Sequence, residues 1–441
     1  MTFFVVWACS EDANIEPITA QDTLEQQESE PGNEPEVELE LPEENPNPMG
    51  LSAGNSTFFN KDLVDDNYIL VNDAGNNYVY LMAKNARVLH QWNLKGGDLG
   101  NDCFYLKDGR LLAMVESDDP KILLGGYGGK VQLLQADGKE LWSFVHSTED
   151  YILHHDAELL PNGNILAMTW ERYTAKEALA RGYKLEVDLF PDGLIEIDPM
   201  TNEIVWEWRL WDHLVQEHDD TKSNYGIIAN NPQLVDINYN QREDGDISHA
   251  NGIAYDEEKD VIYLSANFYS EVWVIDHSTT TVEAASHSGG QFDKGGDLIY
   301  RFGNPTAYKN LNGERLFHNN HYPNLLDGVD YGKMLIFSNG AELLQSTVYE
   351  LELPTSFIIN PNSDNEPAVL WSFTDKELYS PKVSGAEKLP NGNILITEGD
   401  YGIWEVSQNK EVVWKFNADG FFWRAYHYDK SAPEILSLGI Q

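Results

Sequence analysis

Apolar and polar positions alternate in short bursts along this chain, and the bursts repeat. A tryptophan-centred strand recurs after a polar turn: VLHQWNL ending at Leu94, KELWSF at Phe144, EIVWEW at Trp208, DLIYRF at Phe302, AVLWSF at Phe373 and EVVWKF at Phe416, with Tyr300 replacing Trp in the fourth copy. Upstream of most copies lies a partner strand, such as KVQLLQ before Asp137-Gly138, EVWVID before His277 and YGIWEV before Gln408-Asn409. A strand, a tight polar turn and a second strand make a hairpin. A third recurring piece turns at glycine between two leucine-rich halves: YLKDGRLLAM (105–114), LLPNGNILAM (159–168) and KLPNGNILIT (388–397). Self-similarity at tens of residues decides architecture. Six units of strands about five residues long, with hardly any amphipathic helix, predict an all-β chain folded as a six-bladed β-propeller. The natural site of such a fold is its axial channel, where the innermost strands and their leading loops meet.

Three units are headed by histidine. His155 opens HDAELLPNGNILAM, and His318 opens HNNHYPNLLDGVDYGKMLIF as the head of the fourth blade's motif. His249 stands in residues 247–276, read as a loop ending in His-Ala-Asn followed by strands at 261–265 and 271–275. Each head reads His, any residue, a small Ala or Asn, any residue, then an apolar one. Imidazoles at equivalent points of a closed repeat should converge. Asn101 occupies the same place in the second blade and Ser384 in the sixth. Two insertions interrupt the pattern: 169–191 in blade three, whose Ala-Lys-Glu-Ala-Leu-Ala core predicts a helical insert, and 211–246, rich in Asn and Asp. Insertions of this length on a propeller build lids or walls around a site. The aromatic tail 421–428 is expected to pack back on the first blade and close the ring.

Charge and cysteine content narrow the partners. Seventy-three acidic against 29 basic residues give a formal charge of −44, which excludes nucleic acid as a partner. A small anionic substrate is still allowed, because a local pocket can oppose the global field. Two cysteines, Cys9 and Cys103, imply no disulfide framework. The first 60 residues carry no Lys or Arg, and 13 acids lie between Glu11 and Glu44, so residues 10–60 are predicted to be a disordered acidic linker. Residues 1–9, MTFFVVWAC, resemble a bacterial lipobox in which Cys9 would carry lipid, and Ser10-Glu11-Asp12 resembles the export signal of surface lipoproteins. The n-region lacks basic residues and the apolar run is short. A bacterial cell-envelope location, periplasm or outer-membrane surface, is therefore expected, with membrane contact through the Cys9 anchor alone. No later run approaches a membrane span of roughly 18 residues. Residues 61–441 form the propeller domain in this division.

The stretches HHDAELLPNGNILAM with TWERYTAKEALARG, WEWRLWDHLVQ, HANGIAYDEEKDVIYLSANFYSEVWVIDHSTTT, GGDLIYRFGNPTAY and HNNHYP resemble the bacterial arylsulfotransferases, over roughly residues 68–428. The resemblance implies a six-bladed propeller that moves a sulfuryl group from a phenolic sulfate ester to a phenolic acceptor. It implies no nucleotide (PAPS) donor, no other cofactor, and a ping-pong reaction through a sulfohistidine, helped by further channel histidines and an arginine. The chemistry suits the residues. A sulfate monoester should react through a loose in-line transition state. A neutral imidazole is a competent nucleophile, and histidines titrating near neutrality can serve the leaving phenolate.

Carried over residue by residue, the resemblance makes His318 the nucleophile candidate, with His321 as rival on a count back from Leu325-Leu326. His249 becomes the general acid or sulfuryl binder, and His155 with His154 the third imidazole position. The family arginine falls where this chain has Asn267, so Arg172, Arg424 and Arg301 are the candidates to supply the charge, and Asn251 joins them as a substrate-binding candidate. Asp156 is read as an imidazole partner or a turn cap. The repeated tryptophans are read as inter-blade core, and His90, His146, His213, His218, His277, His287 and His427 as surface or packing residues. The expected partners are a small aryl sulfate donor and a phenolic acceptor, with a homodimer allowed. Two other readings stand: a non-catalytic surface propeller binding a glycan, phenolic or protein ligand, and Zn or Mn chemistry on the clustered imidazoles.

Overall fold

A computed structural model describes residues 52–94 and 97–440. The lipobox, Cys9 and most of the acidic linker lie outside the described residues. Among the described residues six antiparallel sheets, five of four strands and one of five, form the blades. Blade two (Leu99–Tyr105, Leu111–Glu116, Gly129–Leu134, Glu140–Val145) and blade three (Tyr151–Leu159, Ile165–Glu171, Asp192–Asp198, Glu203–Arg209) are contiguous in sequence. So are blade four (Ala250–Asp256, Val261–Ala266, Glu271–Asp276, Tyr300–Phe302) and blade five (Asn320–Leu325, Lys333–Ser338, Thr347–Glu352, Ala368–Phe373). The other two are shared between chain ends. Phe422–Tyr428 is the innermost strand of blade one, beside Tyr68–Asp73, Tyr78–Met82 and Val88–Trp92. Asn55–Phe59 adds a fifth, outer strand to blade six (Gly385–Lys388, Ile394–Glu398, Gly402–Val406, Val412–Asn417). The ring is thus latched twice, by the C-terminal tail as expected and by five residues that the sequence pattern had left in the linker.

The core is six inter-blade seams. Leu112, Met114 and Val131 of blade two, for instance, pack on Leu153, Ile165 and Ile195 of blade three, and comparable clusters fill the other seams. Of the repeated aromatics, Trp92, Trp208, Trp414 and Tyr300 are buried, whereas Trp142 and Trp371 are half-buried on outer strands. Truncating one of the buried tryptophans should cost about 3–5 kcal/mol. The predicted helix of blade three is a short turn, Ala175–Ala180, started by a Thr174/Glu177 capping box. Among the described residues no helix is long and apolar enough to cross a membrane.

Residues Ala250–Asp256, the first two of which end the stretch read from sequence as loop and none of which was read as strand, form the innermost strand of blade four. Their Asn and Gly hide the strand because the alternation is broken by a β-bulge. The same break occurs in the inner strands of blades one, two, three and five. Pairing resumes at Ala425, Cys103, Ala157, Ile253 and Asn324 respectively in blades one to five. A bulge kinks the strand and re-aims its side chains, and here it does so at one level around the axis. His155, His249 and Tyr322 at or beside these bulges, and Ser384 just before the inner strand of blade six, have left-handed backbones (φ +52°, +47°, +55° and +84°). Such strain in non-glycine residues costs of order 1–3 kcal/mol and concentrates at functional sites.

Candidate functional site

The residue just before pairing resumes is Arg424 in blade one, Asp102 in blade two, Asp156 in blade three, Gly252 in blade four and Pro323 in blade five. These five meet across the channel as a plate centred on Arg424. Arg424 Nη1 donates to Asp102 (2.5 Å) and Asp156 (3.0 Å), and Nη2 donates to the Asn251 carbonyl (2.8 Å). The guanidinium lies 4.3 Å from the Tyr322 ring centroid. Blade four supplies glycine because a Cβ on Gly252 would stand 2.8 Å from Arg424 Nη2 and 2.9 Å from Pro323 Cδ. Asp102 also accepts from Asn72 Nδ2 (2.7 Å), its neighbour Cys103 N–H (3.0 Å) and the Tyr426 hydroxyl. Asp156 therefore serves an arginine and the Ile253 N–H (3.0 Å); it neither orients an imidazole nor caps a turn.

The imidazoles stand one to three residues nearer the start of the inner strands. His155 and His249 have ring centroids 4.9 Å apart, edge to face, with Trp423 of the closing strand 5.9 Å from His155. His321, at the head of blade five's inner strand, completes the group: the rings of His249 and His321 are close enough to lower the proton affinity of His155, together with His154 and Arg424. Burial is the larger cause and holds His155 well below the usual imidazole range. All three rings are nearly inaccessible, at 2%, 2% and 4% exposure for His155, His249 and His321.

Each ring is fixed by a different device. His321 Nδ1 lies 2.6 Å from Asn339 Oδ1, whose own amide group donates to the Ser380 (2.9 Å) and Val383 (3.1 Å) carbonyls. Those two bonds set the orientation of the Asn339 amide, so His321 must be the donor and carries its proton on Nδ1. Its Nε2 lone pair is buried and has no hydrogen-bond partner. Burial, opposed by the Asn339 bond and aided by His249 and Arg424, pushes His321 down to about 3, so the ring is neutral at ordinary pH. His249 pairs through Nδ1 with the buried Asp246 carboxylate, which also accepts its backbone N–H (3.1 Å), and stacks on Phe268 (4.6 Å). His155 is braced from behind by His154, whose Nδ1 lies 2.9 Å from its own and whose ring is flat on Trp170 (3.8 Å). His154 Nε2 is 3.2 Å from Asp192 Oδ1 but out of line for a hydrogen bond.

Other candidates fall elsewhere. His318 lies apart: its half-buried ring pairs with Glu342 (3.1 Å) in blade five, the fifth sheet and not the fourth. Arg172 is held on the insert surface by Asp188 (2.6 Å). Arg301 is fully buried between strands of blade four, on Glu271 and the Leu234 carbonyl (3.0 Å). Of the three arginines proposed to replace the family residue, Arg424 alone reaches the channel group. Asn267 does come to the site, 3.3 Å from His321 Nδ1, with its amide donating to the Asn320 carbonyl (3.1 Å). Asn251 donates to the same carbonyl (2.8 Å) and keeps a buried, unpartnered Oδ1. In blade two the equivalent of His155, Asn101, donates to the Gly126 carbonyl (2.6 Å) that also accepts the His155 N–H (3.0 Å). Ser384 accepts from Gly399 N–H (3.1 Å) in blade six.

The 211–246 insertion walls this end of the channel as expected, supplying Asp246 and Arg242; the latter lies 4.1 Å from the Phe268 ring. On the far side of the Arg424 plate opens a cavity of about 850 Å³ lined by Asp156, Glu158, Tyr322, Glu387 and Tyr426. It contacts the plate but none of the three channel imidazoles.

The sequence profile described as Arylsulfotransferase (ASST) matches residues 92–420. The chain belongs to the arylsulfotransferase family. That family is one of enzymes, and membership implies aryl sulfotransferase activity. No curated protein matches the arylsulfotransferase chain. Among solved structures it is similar to a protein of unknown function from Bacteroides caccae (13% identity, 82% of this chain and 98% of that one, TM-score 0.46). A putative 6-phosphogluconolactonase from Bacteroides fragilis (10%, 82% and 98%, TM-score 0.43) and a functionally unknown protein from Desulfotomaculum acetoxidans (10%, 82% and 99%, TM-score 0.43) are similar to the same degree. At these scores they add nothing to the architecture described from the strands.

Proposed function

We propose that this arylsulfotransferase moves a sulfuryl group from a phenolic sulfate ester to a phenol by a ping-pong reaction through a sulfohistidine, and that the nucleophile is His321 Nε2. The observation that carries the reading is the state of that atom: buried, unpartnered, and left with its lone pair because Asn339 holds the proton on Nδ1. Nucleophilic catalysis needs such a nitrogen, neutral and aimed at the substrate. In the first half-reaction the ester S–O bond breaks as the Nε2–S bond forms, and the leaving phenolate takes a proton from Nε2 of doubly protonated His249. Asp246 on Nδ1 supports that charge. In the second half His249 takes the proton of the acceptor phenol, whose oxygen bonds to sulfur as the N–S bond breaks, and both histidines return to their starting states. His155, braced by His154, offers a donor to the sulfuryl oxygens. Arg424 acts as a positioning residue: it pins the bulges of blades two, three and four at one level. A site for this chemistry on a lipid-anchored envelope protein is the reading in which Cys9 and the acidic tether also have a purpose.

The test is release of nitrophenolate from 4-nitrophenyl sulfate at pH 8 with a phenol acceptor. His321→Ala should abolish release and the covalent sulfuryl adduct seen by intact mass, while His318→Ala should retain both. An adduct that persists in His321→Ala, or release lost in His318→Ala alone, would return the nucleophile to His318.

A further inference from the structure

Outside the channel, three metal-ligating side chains meet at the seam between blades three and four. His213 ends the short turn Leu210–His213 that follows the outer strand of blade three. Asp297 precedes the outer strand of blade four, and His287 lies in the loop after the turn Thr281–Ala284. Asp297 Oδ1 is 2.8 Å from His213 Nδ1 and 2.7 Å from His287 Nδ1, and the three ligand atoms lie within 4.8 Å of one another.

The tautomer of His213 is decided by its other nitrogen. Nε2 is 2.8 Å from the Ala284 carbonyl, which can only accept, so Nε2 carries the hydrogen. A neutral His213 then turns a bare Nδ1 lone pair on a carboxylate oxygen, inside a site where His213 has no exposure and the Asp297 side chain 5%. Two lone pairs at that distance repel unless a proton or a metal cation lies between them. An imidazole whose second nitrogen donates to a backbone carbonyl, with its first facing a carboxylate, has the outer-shell arrangement of a metal-binding histidine. The frame is rigid: the Trp208 indole lies parallel to the His213 ring (5.7 Å, 4°) and donates to the Gly296 carbonyl (2.7 Å), next to Asp297. The third ligand is on the solvent side. His287 is 63% exposed and borders a cavity of about 170 Å³ shared with Asp212 and Arg181.

We propose that His213, His287 and Asp297 bind one divalent transition-metal ion of the zinc class, with water completing four-coordination. Bonds of about 2.0–2.2 Å in tetrahedral geometry place ligand atoms about 3.3 Å apart. The present 2.7–2.8 Å separations need to open by about half an ångström, which exposed His287 provides on its side and a turn of the Asp297 carboxylate about its soft terminal torsion provides toward His213. Two imidazoles and one carboxylate favour Zn²⁺, Co²⁺ or Ni²⁺ over Ca²⁺, which prefers six to eight oxygens. The ion would staple the exit of blade three to the loop of blade four, and lies apart from the channel imidazoles.

The experiment uses the full chain, stripped with a chelator and titrated with Zn²⁺, Co²⁺ and Ca²⁺. Expected are one Zn²⁺ per chain, a higher Tm on loading, visible Co²⁺ absorption of a tetrahedral N/O site, and no response to Ca²⁺. His287→Ala, an exposed change that leaves the fold intact, should weaken Zn²⁺ binding at least about 100-fold without altering the metal-free Tm. His90→Ala should bind as the parent does. The proposal is overturned if the chain takes up no Zn²⁺ or Co²⁺ and its Tm does not move, or if His287→Ala binds Zn²⁺ as tightly as the parent.

Discussion

Replacing Asn339 by alanine removes the group that holds the His321 proton on Nδ1 while leaving the imidazole in place. The lost bond, 2.6 Å long and fully buried, leaves an N–H without an acceptor, which costs about 1–3 kcal/mol. The ring can relieve that cost by adopting the other tautomer, in which Nε2 is protonated and unreactive. If the whole cost falls on the reactive tautomer, kcat/KM drops by about 5- to 150-fold, at 1.36 kcal/mol per factor of ten. The assay is nitrophenolate release from 4-nitrophenyl sulfate across a pH series, with Tm recorded alongside. Asn339→Asp separates a tautomer effect from a packing effect. A carboxylate would accept from the same Nδ1–H and, by its charge, lift His321 from about 3 toward neutrality. The Asp variant should therefore be active at high pH and show a new acid limb, whereas the Ala variant should be slow at every pH. Parental kcat/KM in Asn339→Ala, or an unchanged pH profile in Asn339→Asp, would refute the assignment.

Two further outcomes are expected. Arg424→Met should destabilise the fold by about 3–5 kcal/mol in urea titrations by leaving Asp102 and Asp156 buried without a counter-charge. Adding Asp102→Asn should recover part of the loss, and strict additivity would argue against the plate. Acid should weaken the fold through His321. Its folded pKa of about 3 lies below the unfolded value near 6.5, so the unfolded chain binds the extra proton. Stability present above about pH 6.5 is then lost toward pH 3, at about 1.4 kcal/mol per pH unit, with His155 adding in the same direction. Urea midpoints from pH 7 to 5 should fall less steeply in His321→Asn.

Much of the architecture was legible because it is written in repeats. Tryptophan strands and Asn-Gly turns carry enough period to count six blades, and the aromatic tail 421–428 announced the latch. The site was legible only to its neighbourhood. Motif counting treats His155, His249 and His318 as equivalent, yet the inner strands of blades three, four and five bulge by unequal amounts, two extra residues in blade three and one in blades four and five, so a fixed offset in sequence is not a fixed place around the axis. In blade five the ring next to the bulge, His321, is the one at the channel, and His318, three residues earlier, stays on Glu342. Arg424 did carry a signal, a lone charge inside FFWRAYHY, but it could not be told from the other arginines until ring closure set blade one beside blade two. Asn339 carried none: it closes the second strand of blade five, 18 residues after the ring it orients. Asp246, three residues before His249, was hidden among the acids of the insertion.

Burial of the imidazoles bears on what the enzyme transfers to. A sulfohistidine exposed to water would hydrolyse, and a transferase must keep bulk water out until a phenol arrives. Phe268 stands where this exclusion is needed: one face covers His249 at 4.6 Å, and the guanidinium of Arg242 covers the other at 4.1 Å. Phe268→Ala removes this shutter without touching His321, Asn339 or Asp246. A cavity opened beside buried polar rings admits water, so the sulfuryl intermediate should partition toward hydrolysis. In assays with 4-nitrophenyl sulfate and a limiting phenol, nitrophenolate release should continue while the yield of sulfated phenol falls, and release without any acceptor should rise. Arg242→Met, which bares only the outer face of the ring, should shift the partition less. If Phe268→Ala lowers release and sulfated phenol in equal proportion, water exclusion is not the role of this ring, and its stacking serves only to hold His249.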